Sequence, residues 1–381
     1  MKATTARRPS LRAALLAVLA LAVAACGGEA SDSDDVEALQ DAGEVTSARD
    51  ATGPATAEQD VAQPDSTEEV SAASCYEGET ATFVSSYGPG SNYDTIARML
   101  APFLEEELDA TVVVEDQEGA GGLLAANSLI TAEPDGLTFG FFSGQGIAGS
   151  VLGGAEGVQF ELLDPSYVAR VAAEPRLLVV GAQTEYQTLE DVQDAQGLTF
   201  ASAGPGGSDH IDATVLFPVL GIDGEIITGF PGGPGTELAV TAGDTDAMSG
   251  TVSSRLPALD SGDHRAVLLI GEEPVEELPD VPALLELDLD EGMMALAEAH
   301  VTLQEMGRMV WAPPEVPEDC LAELRDAFEV AVANPDFVAQ MEGSDQVINF
   351  LNGEDARAVA ESVLQAPAEY VALLEQAYRS Q

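Results

Sequence analysis

The chain has 381 residues, of which 14 are basic and 67 acidic, giving a formal net charge of −53 alongside 45% apolar residues. So few cations exclude nucleic-acid recognition, which depends on Lys and Arg to neutralise phosphates. Self-repulsion of this size strains a compact state at low ionic strength, but at about 1 M salt the screening length falls to roughly 3 Å, so a salt-rich habitat is expected. The acidic excess reads as a solvated coat, with a metal store or a surface for a basic partner as the alternatives.

In chain order, the first feature is a basic start (Lys2, Arg7, Arg8, Arg12) followed by an apolar stretch that stops at Cys26, in the context Val23-Ala24-Ala25-Cys26. This reads as a bacterial lipobox. Residues 1–25 would be removed as a lipoprotein signal peptide, and diacylglycerol on Cys26 would hold the rest outside the cytoplasm on the cell membrane, with no other membrane contact. The apolar run of about 13 residues is short for a bilayer core that needs about 20; an ordinary cleaved signal peptide or a transmembrane helix is the alternative. Processing would leave ten arginines, no lysine and a net charge of −57.

Residues 26–74 are rich in Asp, Glu, Ser, Ala and Thr and contain no aromatic residue, so they read as a disordered acidic tether. About 300 residues then remain, enough for two lobes. Cys75 and Cys320 are the only thiols left after Cys26. In an oxidising exterior this even pair points to a disulfide, with two unpaired buried cysteines as the alternative.

From there, short β-branched runs alternate with helical patterns. Strands are expected at 81–87, 111–115, 137–142, 167–171, 177–180, 198–201, 225–228, 246–249 and 266–270. Helices are expected at 93–108, with Ile96, Met99, Leu100, Phe103, Leu104 and Leu108 on one stripe, and at 122–132, 189–195, 208–220, 235–242 and 253–260. The final third reads as helical, around 290–300, 317–333, 335–341 and 354–378. This alternation predicts an α/β fold with mainly parallel sheets covered by helices.

Glycine-rich turns recur where strands meet helices: Gly88-Pro89-Gly90-Ser91-Asn92-Tyr93-Asp94, Ser143-Gly144-Gln145-Gly146, Gly204-Pro205-Gly206-Gly207-Ser208 and Pro231-Gly232-Gly233-Pro234-Gly235. Bare amides in the first turn of a helix carry partial positive charge, so each turn is a candidate carboxylate or phosphate cradle. Taken as a set, the four predict a cleft lined by backbone donors at the carboxyl edges of an open sheet. Each one alone is equally compatible with plain turn chemistry.

Several of these segments resemble the extracytoplasmic solute receptors of tripartite tricarboxylate transporters, the Bug receptors. Residues 87–98, Tyr-Gly-Pro-Gly-Ser-Asn-Tyr-Asp-Thr-Ile-Ala-Arg, resemble the first-loop signature of that family, and Val113-Val114-Glu115-Asp116 through Gly119-Ala120-Gly121-Gly122 resembles its second segment. Pro134-Asp135-Gly136, Leu278-Pro279-Asp280-Val281-Pro282 and Trp311-Ala312-Pro313 follow in family order. The resemblance implies a two-lobed fold of the type II periplasmic-binding-protein kind, with a hinge and an interlobe ligand cleft. Lobe 1 would comprise residues 76–174 and 286–381, and lobe 2 residues 175–285.

It also implies a monomeric solute-binding protein, not an enzyme, which needs no cofactor or metal and delivers a small carboxylate or related polar solute to a two-subunit membrane transporter. The site carried over by resemblance is Gly88, Pro89, Gly90, Ser91, Asn92 and Asp94, then Ser143 and Gln145, and from the opposing lobe Gly206, Gly207, Ser208, Pro231, Gly232 and Gly233. Backbone amides and Ser hydroxyls would hold carboxylate oxygens, while Asp94 would orient its loop or accept from a ligand donor. The sequence departs from the family at Ser91-Asn92, at Asp209 and at Phe230-Pro231, where the family carries two glycines, a small hydroxyl residue and Tyr-Lys. The lost lysine and added acid point away from a highly charged anion and toward a monocarboxylate or neutral amino acid.

Other readings are a sensing lipoprotein without a transport role and a secreted serine hydrolase. Ser208, Asp209 and His210 are adjacent, but neighbouring positions on a helix face different ways and cannot form a catalytic chain among themselves. The three histidines and two cysteines show no zinc spacing, and residues 286–292 match a calcium loop only loosely, as its glycine falls one position late. Trp311 reads as a core or hinge residue, with ligand stacking as the alternative.

Overall fold

The computed structural model describes residues 74–379. The signal peptide, Cys26 with its expected lipid, and all but the last residue of the expected tether lie outside the described residues.

Two mixed sheets organise the fold. The first contains β1 (Thr80–Ser85), β2 (Thr111–Asp116), β3 (Thr138–Ser143), β4 (Ser166–Ala172), β10 (Arg308–Ala312) and β11 (Leu351–Asn352), in the order β11-β4-β10-β3-β1-β2. The second contains β5 (Arg176–Gly181), β6 (Gln196–Ala201), β7 (Asp223–Ile227), β8 (Ala247–Thr251) and β9 (His264–Ile270), in the order β7-β6-β8-β5-β9. The chain passes from β4 to β5 through Ala173-Glu174-Pro175 and returns after β9, so β10 and β11 rejoin the first sheet.

The helices are α1 (Asn92–Leu108), α2 (Leu123–Ile130), α3 (Gly144–Leu152), α4 (Leu189–Gln193), α5 (Ser208–Leu220), α6 (Gly232–Ala242), α7 (Val252–Asp260), α8 (Glu291–Gln304), α9 (Glu318–Ala333), α10 (Pro335–Glu342), α11 (Gly353–Val363) and α12 (Ala368–Arg379). On α1 the apolar stripe buries Ile96, Leu100, Leu104 and Leu108, where they join Phe83, Phe139 and Phe328 in a core under one face of the first sheet. A second core runs continuously between the lobes, from Phe142 and Trp311 of the first sheet to Leu178, Val180 and Phe200 of the second, and it includes buried residues of α3, α5, α8 and α12. The two lobes therefore share apolar packing behind the space that separates them.

Several features differ from the sequence expectation, among them helix α3 and strand β11, which lie outside the expected helices and strands. The sheets are mixed: β1 runs parallel to β2 and β3, but β10 runs antiparallel to both β3 and β4, and β5 is antiparallel to β8 and β9. The segment Arg308–Ala312 is a fully buried strand in a region read as helical. The expected helix at 354–378 is two helices, α11 and α12, because Pro367 removes an amide donor and restricts the residue before it.

Among the described residues, no helix is long and apolar enough to cross a membrane. Cys75 and Cys320 form a disulfide, with their Cα atoms 5.4 Å apart, that ties the start of the described chain to α9. Next to it the Cys75 amide donates to Glu323 at 2.9 Å, and the buried Tyr76 hydroxyl donates to the Cys320 carbonyl at 3.1 Å.

Candidate functional site

All four glycine-rich turns reach one interlobe cleft of about 810 Å³, a size typical of small-molecule sites. Each turn follows the carboxyl end of a strand: β1 and β3 on one side, β6 and β7 on the other. Of the residues singled out from sequence, Gly88, Pro89, Gly90, Ser91, Asn92, Ser143, Gln145, Gly207, Ser208, Pro231, Gly232 and Gly233 line this cleft.

Local chemistry explains the shape of each wall. Ser91 caps α1, its hydroxyl accepting from the Asp94 amide at 3.2 Å, while the Asp94 carboxylate accepts from the Gly90 amide at 2.8 Å and pairs with Arg98. Asp94 is buried and stands behind the cleft wall, so it fixes the loop from inside. Gly90 adopts φ +80°, a conformation that glycine takes without strain. Ser143 caps α3 and lies 3.3 Å from the Ser208 hydroxyl in the other lobe. Helices α5 and α6 begin at Gly207 and Pro231 without a side-chain cap, which leaves their first-turn amides to other partners.

Gly206 does not line the cleft. Its carbonyl is a close backbone contact between the lobes: a Cβ built on Gly121 or on Gly146 would lie 2.5 Å from that oxygen. Asp209 lines the cleft, and its carboxylate accepts from the Ala203 amide at 2.7 Å and the His210 amide at 3.0 Å. Burial pushes this carboxyl above its ordinary value, against the pull of those amides and of Arg176. His210 points into lobe 2, with Nδ1 3.5 Å from the Ser202 hydroxyl, so no Ser208-His210 pair forms. Trp311 is fully buried and stacked on Phe142 at 4.9 Å, away from the cleft.

Apart from Asp209, sequence reasoning missed the charged part of the site. Arg176, Arg255 and Arg308 line the cleft, as do Glu118, Glu174, Asp209, Glu237 and Asp345. Arg176 pairs with Asp212 at 2.6 Å and Arg255 with Glu237 at 2.9 Å, while Arg308 is 3.5 Å from Glu174. Glu174, on the crossover between sheets, accepts from the amide and hydroxyl of Ser253 at 3.0 and 2.8 Å, so it sits against the N-terminus of α7. None of these arginines falls in a motif, and their convergence depends on strand order. Among the described residues no group of three or more His, Cys, Asp and Glu side chains is arranged to hold a metal ion.

A family model described as the tripartite tricarboxylate transporter family receptor matches residues 96–366, more than half of the chain. The chain belongs to this family. Among curated relatives of this receptor, a UPF0065 protein of Bordetella pertussis is 25% identical over 263 residues, covering 66% of this chain and 76% of its own. Protein BugT of the same organism is 27% identical over 219 residues, covering 54% of this chain and 64% of its own. Among solved structures, the periplasmic binding protein BugD superposes with a TM-score of 0.64 at 22% identity, covering 79% of this receptor and 98% of BugD. MatC of Rhodopseudomonas palustris, solved with bound malate, gives 0.63 at 23% identity and coverages of 78% and 99%. A further R. palustris protein, solved with adipate, gives 0.61 at 16% identity and coverages of 78% and 97%. These likenesses establish the two-lobed receptor fold.

Proposed function

We propose that this chain is a lipid-anchored extracytoplasmic receptor that captures a small carboxylate, or a closely related polar solute, between its lobes. It presents the closed form, as a monomer, to a two-subunit membrane transporter. The observation that carries this reading is the convergence of four glycine-rich turns from both lobes on one cleft. Membership of the receptor family and the malate and adipate held by two fold neighbours support it.

In this reading residues 76–174 and 286–381 form one lobe and 175–285 the other, with Ala173-Glu174-Pro175 as one strand of the hinge. The first-loop amides, Ser143, Ser208 and the amides at 207 and 232–233 hold the carboxylate. A charge-assisted hydrogen bond contributes about 1.5–3 kcal/mol, so a few converging donors in a closed cleft outweigh a diffuse repulsion that salt screens. Ligand shifts the open and closed populations only through contacts completed on closure. The protein acts by binding and release and turns over no substrate. The acidic coat suits a salt-rich medium, and Cys26 carries the lipid.

The test is a thermal-shift and calorimetric screen of carboxylates, amino acids and sugars against the full chain at high salt. Stabilisation by a small carboxylate is expected, weakened by Asn92→Ala and by Gly207→Asp. Stabilisation by sugars or cations alone would overturn the reading. Membrane release on Cys26→Ser is the companion test for the anchor.

A further inference from the structure

The charges of the cleft are unequally committed. Arg176 places Nε on Asp212 at 2.6 Å and Nη2 on the Ser249 hydroxyl at 3.2 Å. Arg255 uses all three nitrogens: Nη2 on Glu237 at 2.9 Å, Nη1 on the Met248 sulfur at 3.3 Å and Nε on the Ser254 hydroxyl at 3.3 Å. Arg308 differs. Its one contact among the described residues is Nη2 to Glu174 at 3.5 Å, and that carboxylate is held more tightly by Ser253.

The Nε and Nη1 donors of Arg308 therefore have no partner among the described residues, although its side chain is only 8% exposed and lines the cleft. None of its nitrogens is among the buried atoms left without a partner, so these donors open onto the cleft and remain free to meet an anion there.

Its position suits that role. Arg308 opens β10 and lies directly opposite Ser143 in the antiparallel pair with β3, so the two side chains share one face of the sheet. Ser143 in turn reaches Ser208 of the other lobe at 3.3 Å. A guanidinium, two hydroxyls and the start of α5 thus meet from three separate elements. We infer that Arg308 is the charged anchor for the ligand's carboxylate and that, as the least committed of the three cleft cations, it restricts the ligand to a single anionic group.

The restriction follows from what surrounds it. A second carboxylate would face Glu118, Glu174, Asp209, Glu237 and Asp345 with no uncommitted cation to meet it among the described residues. Like charges brought together in a partly desolvated cleft repel more strongly than in bulk water. A neutral second group, such as a hydroxyl or primary amide, meets no such penalty. This inference rests on the carboxylate-receptor reading and names its substrate class as monocarboxylates with a neutral polar end.

The test is calorimetric titration of the full chain at high salt with matched probes that differ only in one carboxylate: succinate against succinamate, and adipate against its monoamide. The monoamides are expected to bind at least tenfold more tightly. Arg308→Gln should weaken them at least thirtyfold and abolish the preference for propionate over propionamide, a charge discrimination that a merely structural residue would not control. Arg308→Lys keeps the charge but loses the fork, and should weaken binding about tenfold. Binding is read only for variants whose unliganded melting stays cooperative, and Arg308→Lys serves if Arg308→Gln does not fold. Equal or tighter binding of the diacids would overturn the single-charge restriction. Unchanged affinity in either Arg308 variant would overturn the anchor. Failure of every carboxylate, including propionate, would remove the receptor reading beneath both.

Discussion

Asp212 and Arg176 meet at 2.6 Å behind the cleft, joining the middle of α5 to the first residue of β5. The same fully buried carboxylate accepts from the Ser249 hydroxyl at 2.6 Å and from Gln145 Nε2 at 2.8 Å, and it faces His300 Nε2 at 3.2 Å. Gln145 lies on α3, directly after the first sheet's β3, while Arg176 and Ser249 belong to the second sheet, so one carboxylate gathers donors from both lobes. Burial pushes its pKa up, but Arg176, His300 and Ser249 outweigh that and hold it well below the ordinary carboxylate range.

Removing this charge leaves Arg176 buried without a counter-ion. Asp212→Asn is therefore expected to destabilise the protein by about 3–5 kcal/mol, the range for breaking a buried pair from one side. Chemical denaturation at high salt measures it. A loss below about 1 kcal/mol would mean that the network is structurally redundant.

Acid should weaken the fold in two stages. Burial holds His210 below its ordinary value, and burial followed by Arg255 does the same to His264. The folded state keeps these rings neutral, so below about pH 6.5 the unfolded chain takes up protons that the folded chain refuses, and stability falls. Asp212 adds a further loss as pH drops below the ordinary carboxylate range toward its depressed value. Asp209, whose folded pKa is raised, acts in the opposite sense and recovers some stability as it protonates. Melting curves between pH 7 and 5 should show the first slope, and His210→Gln should flatten it.

The contact between lobes at Gly206 is backbone against backbone. Gly146 has an ordinary helical φ, so alanine there is not strained in itself, but its Cβ would lie 2.5 Å from the Gly206 oxygen. Gly146→Ala should hold the lobes apart, raise the radius of gyration seen by X-ray scattering with ligand present, and weaken ligand binding tenfold or more. Unchanged scattering and affinity would place the closing contact elsewhere.

Salt should stabilise the protein over an unusually wide range. With 67 acidic residues against 14 basic ones, most of the surface field is self-repulsive and is screened progressively as ionic strength rises. The midpoint of melting should climb steadily from 0.1 to 1 M KCl; a flat response would mean that the acidic residues are already locally compensated.

The turn residues of the site were legible because glycine-rich strand-to-helix junctions announce themselves locally, through residues that few other conformations need. Helix α5 was legible from end to end, since Gly207 and Gly221 punctuate it. Arg308 was not. It sits in the run Arg308–Ala312, whose five residues are all buried, and a short apolar run of that kind carries neither helical nor alternating periodicity. That strand inserts between β3 and β4 from 165 residues along the chain beyond β3, a placement set by sheet topology. The same cause makes the sheets mixed, since strand direction is not a local property.

The disulfide between Cys75 and Cys320 closes a loop of 245 residues, and its loss is expected to cost about 2–5 kcal/mol. Its location has a mechanical meaning as well. A pull applied along the polypeptide ahead of Cys75 would be delivered through that covalent bond straight into α9, bypassing the crossover at Glu174 on which the proposed closure turns. On the proposed anchoring, the grip on a solute would thereby be insulated from tugging at the membrane end of the chain.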